Sequence, residues 1–260
     1  MKGSRVTSLR SRVSGYAVVV LSLTALGGLY TALASPPSAA TPKADSSIAV
    51  EEGRQLYLQG CSTCHGLNNE GGAGGPSLVG VGASSVIFQV SSGRMPFAAG
   101  SSQAARKDPK YDQTQIEQLA AYIQSMGGGP ELPAGNLSDG DLARGGDLFR
   151  TNCSSCHNFA GVGGALTRNK YAPALTEATA AEIYAAMQTG PESMPRFGDN
   201  QLTPSEKKDI VKYVRYITTQ SKNPGGAALG RYGPVSEGLL VFLGGIGLII
   251  VVTLWIGARA

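Results

Sequence analysis

Every cysteine and every histidine of this 260-residue chain lies in one of two Cys-x-x-Cys-His motifs. The first motif spans Cys61 to His65, and the second spans Cys153 to His157. This pentapeptide is typical of the attachment of a c-type haem, because its two sulfurs can reach both vinyl groups of one porphyrin. The histidine that follows the second sulfur then falls beneath the iron. The two motifs therefore predict two covalently bound haem c groups, and this limits the folds open to the chain.

A Cys-x-x-Cys pair also occurs in redox dithiols, in zinc sites and in disulfide frameworks. Neither a zinc site nor a disulfide requires a histidine directly after both pairs, and the chain has no further histidine. The haem interpretation is therefore favoured. It assigns the thioether bonds to the four cysteines and the proximal position on each iron to a histidine: Cys61, Cys64 and His65 for the first haem, and Cys153, Cys156 and His157 for the second.

Methionine is the usual ligand for the sixth position once both histidines are used, and its thioether raises the reduction potential of the iron. Met95 and Met194 each precede a proline, which disfavours helical backbone and lets a loop present the sulfur inward. Met126 and Met187 lie in helical patterns and are expected to pack in the core. We therefore predict Met95 and Met194 as axial ligands; the alternative is that each packs on the porphyrin edge. An iron with both axial positions filled carries electrons, and no catalytic residue is predicted.

The sequence around the motifs is repeated. Gly53 and Gly145, which precede the two motifs, are 92 positions apart, as are Cys61 and Cys153. An apolar pattern of helical period closes each copy, with Asp112 and Thr203 as predicted helix starts. Each copy is therefore predicted to contain a helix, the haem motif, a glycine-rich loop, a short helix, a methionine loop and a last helix.

Two uncharged apolar stretches, residues 16–34 and 238–258, approach the roughly 20 residues that a membrane-spanning helix needs. The first follows a basic segment and is either a signal peptide or a membrane anchor. In both cases the positive-inside rule sends the residues after it across the membrane. For the second stretch we expect a membrane helix, with a buried core helix as the alternative.

The net charge of +4 does not indicate a nucleic-acid partner, because residues 35–234 carry 17 basic and 17 acidic side chains. Four basic residues of the last helix are expected to form a solvated face, with docking of an acidic partner as the alternative: Lys207, Lys208, Lys212 and Arg215.

Each copy resembles a class I cytochrome c domain. In that family a glycine of the first helix meets an aromatic residue of the last, and a proline carbonyl accepts a hydrogen bond from the proximal histidine. Gly53 with Tyr122 and Gly145 with Tyr213 match the first feature, and Pro76 and Pro173 match the second. The resemblance implies that the proline carbonyls fix the orientation of both imidazole rings.

The whole arrangement resembles the dihaem cytochrome cc subunit of the actinobacterial-type cytochrome bcc complex, a quinol–cytochrome c reductase. This resemblance implies that electrons pass from the Rieske iron–sulfur subunit through two haems to a terminal haem–copper oxidase, with a cytochrome b subunit as a further partner. It also implies a cell-membrane protein with its haem domains on the outer face. The alternative is a membrane-anchored dihaem cytochrome that serves a dehydrogenase or another reductase.

The predicted fold is thus mainly α, with two tandem class I cytochrome c domains and terminal transmembrane helices. The chain is multi-pass if the amino-terminal segment remains and single-pass if it is cleaved. The predicted segments are a basic cytoplasmic segment 1–15, a transmembrane helix or signal peptide 16–34, a linker 35–47, domain one 48–126, a linker 127–138, domain two 139–222, a linker 223–237 and a transmembrane helix 238–258.

Overall fold

The computed structural model describes most of both predicted domains and part of each terminal segment: residues 16–26, 28, 47–97, 103–220, 229 and 234–259. The chain divides into two compact units, residues 1–43 and 44–260, and the second unit contains both domains. In the first unit, helix α1 spans Tyr16–Leu26. Three predicted segments lie wholly or mostly outside the described residues: the basic segment 1–15, the linker 35–47 and the linker 223–237.

Both domains contain the predicted order of helices. The first domain consists of α2 Ser47–Gly60, α3 Ser62–His65, α4 Ala83–Ser91 and α5 Gln113–Ser125. The second consists of α6 Leu142–Asn152, α7 Ser154–His157, α8 Ala180–Thr189 and α9 Pro204–Arg215, followed by a π-helical turn Tyr216–Gln220. It also contains a small antiparallel ribbon of β1 Gly164–Ala165 and β2 Tyr171–Ala172. The described part of the two domains is therefore mainly helical.

The predicted starts of the last helices are confirmed. The Asp112 carboxylate accepts from the backbone N–H of Gln115 and caps α5. Thr203 caps α9 through the N–H of Glu206, with proline at the first helical position. Hydrogen bonds from the Thr203 backbone and hydroxyl, and then from the Arg144 guanidinium, lower the pKa of Glu206 to about 2.

The first and last helices of each domain cross at a glycine. A Cβ atom on Gly53 of α2 would overlap the backbone carbonyl of Gln118 on α5, and one on Gly145 of α6 would overlap that of Asp209 on α9. Only glycine permits so close an approach of two backbones. The predicted contacts with Tyr122 and Tyr213 are therefore confirmed, since each tyrosine Cβ lies beside the same glycine.

The expected solvated face of α9 is wrong for Lys207, which is only 1% exposed. Lys207 lies on the apolar face of α9, at helical spacing from the buried Ile210, Val211 and Val214. Its stem is buried with them, and its Nζ atom donates to Oδ1 of Asp199 at 2.6 Å.

Helix α10 spans Pro234–Gly257. Its span Val235–Gly257 has a mean hydropathy of 2.8 and no buried residue, which does not suit a core helix. Within the described residues it is the one helix long and apolar enough to cross a membrane, whereas α1 is shorter. Length and composition therefore agree with the predicted carboxy-terminal membrane helix.

Candidate haem sites

Each attachment motif forms a single helical turn directly after the first helix of its domain. The backbone N–H of His65 donates to the carbonyl of Cys61 at 3.0 Å. In the second motif, the N–H of His157 donates to Cys153 at 2.9 Å. Cysteines three positions apart on a helical turn lie on the same side, so each pair can present both sulfurs to one bound group. Cys153 is buried, and this burial raises the pKa of its thiol to about 12.

The proximal histidines are oriented by the prolines that the cytochrome c resemblance indicates. Nδ1 of His65 lies 2.7 Å from the carbonyl oxygen of Pro76, and Nδ1 of His157 lies 3.0 Å from that of Pro173. A carbonyl oxygen can only accept, so Nδ1 carries the proton and Nε2 keeps its lone pair. This is the tautomer that an iron ligand needs. Burial lowers the pKa of His157, opposed by the contact with Pro173, which favours the neutral imidazole.

In the second domain both predicted axial ligands line one cavity. His157 and Met194 share a cavity of about 250 Å³ with Cys153 and Cys156. Its remaining walls are largely apolar and include Phe149, Leu175, Ile183, Met187, Phe197 and Val214. An apolar cavity with two thiols, an imidazole with a free Nε2 and a thioether suits a covalently bound porphyrin. These residues therefore fit haem c.

In the first domain Met95 and Cys61 pack against the same core cluster. The backbone N–H of Met95 donates to the carbonyl of Gln89 at 2.9 Å, which holds the methionine loop at the end of α4. The expected core packing of Met126 and Met187 is confirmed, since Met126 packs against this cluster and Met187 is buried in α8. Met187 also borders the cavity of the second domain.

Two family models match the chain, one in each domain. The model described as cytochrome c matches residues 50–127. The model described as cytochrome C oxidase, cbb3-type, subunit III matches residues 140–214. Each match runs from the first helix of a domain to its last, so both cytochrome c-type domains are confirmed. The cofactor of such domains is haem c.

Similar proteins named cytochrome bc1 complex cytochrome c subunit align over nearly the whole chain. The one from Mycobacterium tuberculosis is 46% identical, covering 97% of this chain and 93% of its own length. The one from Mycobacterium leprae is 48% identical, covering 94% and 87%. The one from Corynebacterium efficiens is 45% identical, covering 97% and 91%. The chain belongs to this family.

This family member has one property that its sequence did not indicate: the first domain contributes to the cavity of the second. Phe88, Arg94 and Gln103 of the first domain line the cavity that contains His157. The Gln103 side chain donates to the carbonyl of Tyr171 at 2.7 Å and accepts from its N–H at 3.1 Å. These contacts join residues far apart in the chain, so no local pattern predicts them.

An ion pair also joins the two domains. Glu182 of α8 is 2% exposed and accepts from the Arg106 guanidinium at 2.8 and 3.0 Å. Between α4 and α8, the Ser84 hydroxyl donates to Oε1 of Gln188 at 2.7 Å. Phe88 packs against the small side chains of α8 in the same interface. The two cytochrome c domains of this family member therefore share a packed and hydrogen-bonded interface.

Proposed function

We propose that the chain is a dihaem electron-transfer subunit of a respiratory cytochrome bcc complex. The observation that carries the proposal is the duplicated site: each domain has a cysteine pair and an imidazole whose Nδ1 is bonded to a proline carbonyl. Relatives aligned over nearly their full length are named as the cytochrome c subunit of a bc1 complex, which supports the assignment to such a complex.

We assign His65 and Met95 as axial ligands in the first domain, and His157 and Met194 in the second. When bound, haem c supplies a one-electron couple at its iron. The cysteines hold the group covalently, and the carbonyls of Pro76 and Pro173 keep each imidazole in the ligating tautomer. The apolar walls of the second domain's cavity exclude water. A methionine sulfur bound to the iron would favour the reduced state of the iron. Because a histidine and a methionine would hold the metal in each domain, neither site would offer it to a substrate.

The proposed partners are the Rieske iron–sulfur subunit, the cytochrome b subunit and a terminal haem–copper oxidase. The first domain receives electrons from the Rieske subunit, and the second passes them to the oxidase. The complex as a whole is a quinol–cytochrome c reductase and translocase, and this chain is its electron carrier. The names of the relatives support a bc1-type complex, whereas the order of transfer follows the resemblance to the cytochrome cc family.

We further propose that α10 anchors the chain in the cell membrane with the haem domains on the outer face. Attachment of c-type haem is completed outside the cytoplasmic membrane in bacteria, which agrees with that side. The chain is multi-pass if residues 16–34 remain and single-pass if they are cleaved. Mass spectrometry of the mature polypeptide distinguishes these two topologies, because cleavage removes the amino-terminal segment.

Purification in mild detergent tests the function. We expect two thioether-bound haems in the intact mass of the chain, together with co-purified cytochrome b and Rieske subunits. Fewer than two haems contradicts the dihaem assignment. Recovery with a dehydrogenase instead contradicts the bcc complex and supports the alternative of a dihaem cytochrome that serves another system.

A further inference from the structure

Arg94 of the first domain is a buried cation that forms no ion pair with any of the residues that the structure describes. Its side chain is only 8% exposed. Its guanidinium lies over the Phe88 ring, 4.8 Å from the ring centroid. No hydrogen bond or ion pair joins Arg94 to any other side chain in the part of the chain that the structure describes. A buried charge without a counter-ion is unfavourable, so a guanidinium in this position favours the binding of an anionic group.

The carboxylates nearest to Arg94 have other partners. Glu182 is bound by the fork of Arg106. Oε1 of Glu192 accepts the backbone N–H of Ala104 at 2.8 Å. Neither carboxylate lies within 4 Å of Arg94, and a second cation, Arg106, stands nearby. Glu182 and Glu192 attract Arg94 through space, but among the described residues neither of them forms an ion pair with it.

The guanidinium borders the second domain's cavity, where it is the only lysine or arginine among the lining residues that the structure describes. The second domain contributes no such cation of its own to that lining; its one carboxylate there is Glu192. A haem in this cavity brings two propionate carboxylates, which are its only anionic groups. A carboxylate in a largely apolar cavity is stabilised by a charged hydrogen-bond donor, and the Arg94 guanidinium provides one.

We propose that Arg94 of the first domain binds a propionate of the haem held by the second domain. The inference rests on the proposed dihaem function. Arg94 directly precedes Met95, the proposed axial ligand of the first haem. One short segment thus contacts both sites, and Arg94 acts on the second site as a positioning residue. The hydrogen bonds between Gln103 and Tyr171 fix the first domain against the same cavity.

Redox titration of the complete, haem-loaded chain in detergent tests this. The haem whose midpoint potential falls in Met194→Leu is the second haem. We expect Arg94→Gln to lower the midpoint of that haem more than that of the first, because an unpaired carboxylate beside the iron favours its oxidised state. Arg94→Lys keeps the charge and should reverse most of the fall.

Lys107→Gln is the matched control. It removes one positive charge from the same region of the first domain, where Nζ of Lys107 donates to the carbonyl of Pro96 at 3.0 Å. Lys107 does not border the cavity of the second domain, so the midpoint potential of the second haem should not change. A fall equal to that of Arg94→Gln would show that charge alone, without contact, is responsible and would overturn the proposal.

Haem content is measured on every sample by intact mass. Fewer than two haems in the unaltered chain contradicts the proposed function itself. If Arg94→Gln retains two haems and the midpoint potential of the second haem is unchanged, the inference alone is overturned. It is also overturned if the midpoint potential of the first haem falls more than that of the second. A structure of the unaltered, haem-loaded chain decides the matter if the variant does not fold: the proposal requires Arg94 within 4 Å of a propionate oxygen of the second haem.

Discussion

The two domains share their helix crossing and their proximal histidine contacts, but they differ in the segment between the methionine loop and the last helix. In the first domain that segment covers residues 96–111, and in the second it covers residues 195–202. The longer segment carries Gln103 and Arg106, which reach the second domain. A duplicated fold has thus become asymmetric, because one copy helps to build the site of the other.

The last helices differ at one buried position. Ile116 of α5 and Lys207 of α9 both lie six residues before the tyrosine that contacts the crossing glycine. They are 2% and 1% exposed, respectively. The first domain therefore fills this position with an apolar side chain, and the second fills it with an ammonium paired to Asp199. The shared fold accommodates both solutions because the lysine stem packs like an aliphatic side chain.

Removal of one cysteine pair should have the largest effect. Cys153→Ala with Cys156→Ala removes both thioether bonds of the second domain, and Cys61→Ala with Cys64→Ala is the matched change in the first. We expect each variant to retain one covalent haem, since each pair serves its own domain. Intact mass measures the number directly. Loss of both haems from either variant would mean that attachment in one domain depends on the other.

Replacement of either proposed methionine ligand should lower the midpoint reduction potential of one haem without releasing that haem. Met95→Leu and Met194→Leu remove the proposed axial sulfurs, and leucine cannot supply a lone pair to stabilise reduced iron. Each variant is expected to lower the midpoint of one haem, a different one in each case, while the intact mass still shows two. Unchanged midpoints in both variants would exclude these ligands.

The ion pair between the domains should contribute measurably to stability. Arg106→Met leaves the buried carboxylate of Glu182 without its cation, at a cost of about 3 kcal/mol in the free energy of unfolding. Arg54→Met is the control, because the pair of Arg54 and Glu51 is half-exposed, 3.6 Å apart, and worth under about 1 kcal/mol. Urea unfolding in detergent, followed by haem absorbance, compares the two. Equal effects would show that the interface does not depend on this pair.

The smallest effect is expected where the two domains differ at one side chain. Lys207→Ile copies the first domain's residue and leaves Asp199 exposed to water, so stability should change by less than about 1.5 kcal/mol. Lys207→Ala leaves a cavity in the same place and should cost roughly 2 kcal/mol or more. The same urea titration separates them. A loss as large for isoleucine as for alanine would mean that the ammonium itself is required.

The sequence predicts what depends on short spacing. The cysteine and histidine motifs and the capping residues Asp112 and Thr203 act within one or two helical turns, whereas the glycines of the helix crossings were expected from the resemblance to class I cytochrome c domains. Their structural contexts are confirmed. The assignment of Met95 and Met194 as ligands also came from local signals, and it stays a prediction.

Two features were not predicted, for different physical reasons. Lys207 looked solvated because charge suggests exposure, whereas its place on the apolar face of α9 buries it. The contribution of Arg94 and Phe88 to the second cavity depends on how two domains pack. Hydrophobic periodicity describes single elements and contains no information about such contacts between domains.

The hydrogen bonds of Gln103 have a consequence for association with other chains. A strand at the edge of a sheet exposes backbone groups that can pair with a strand of another molecule. Here a side-chain amide occupies both the N–H and the C=O of Tyr171 on β2. The amide imitates one residue of a third strand, so the ribbon is closed to intermolecular β-pairing at this position.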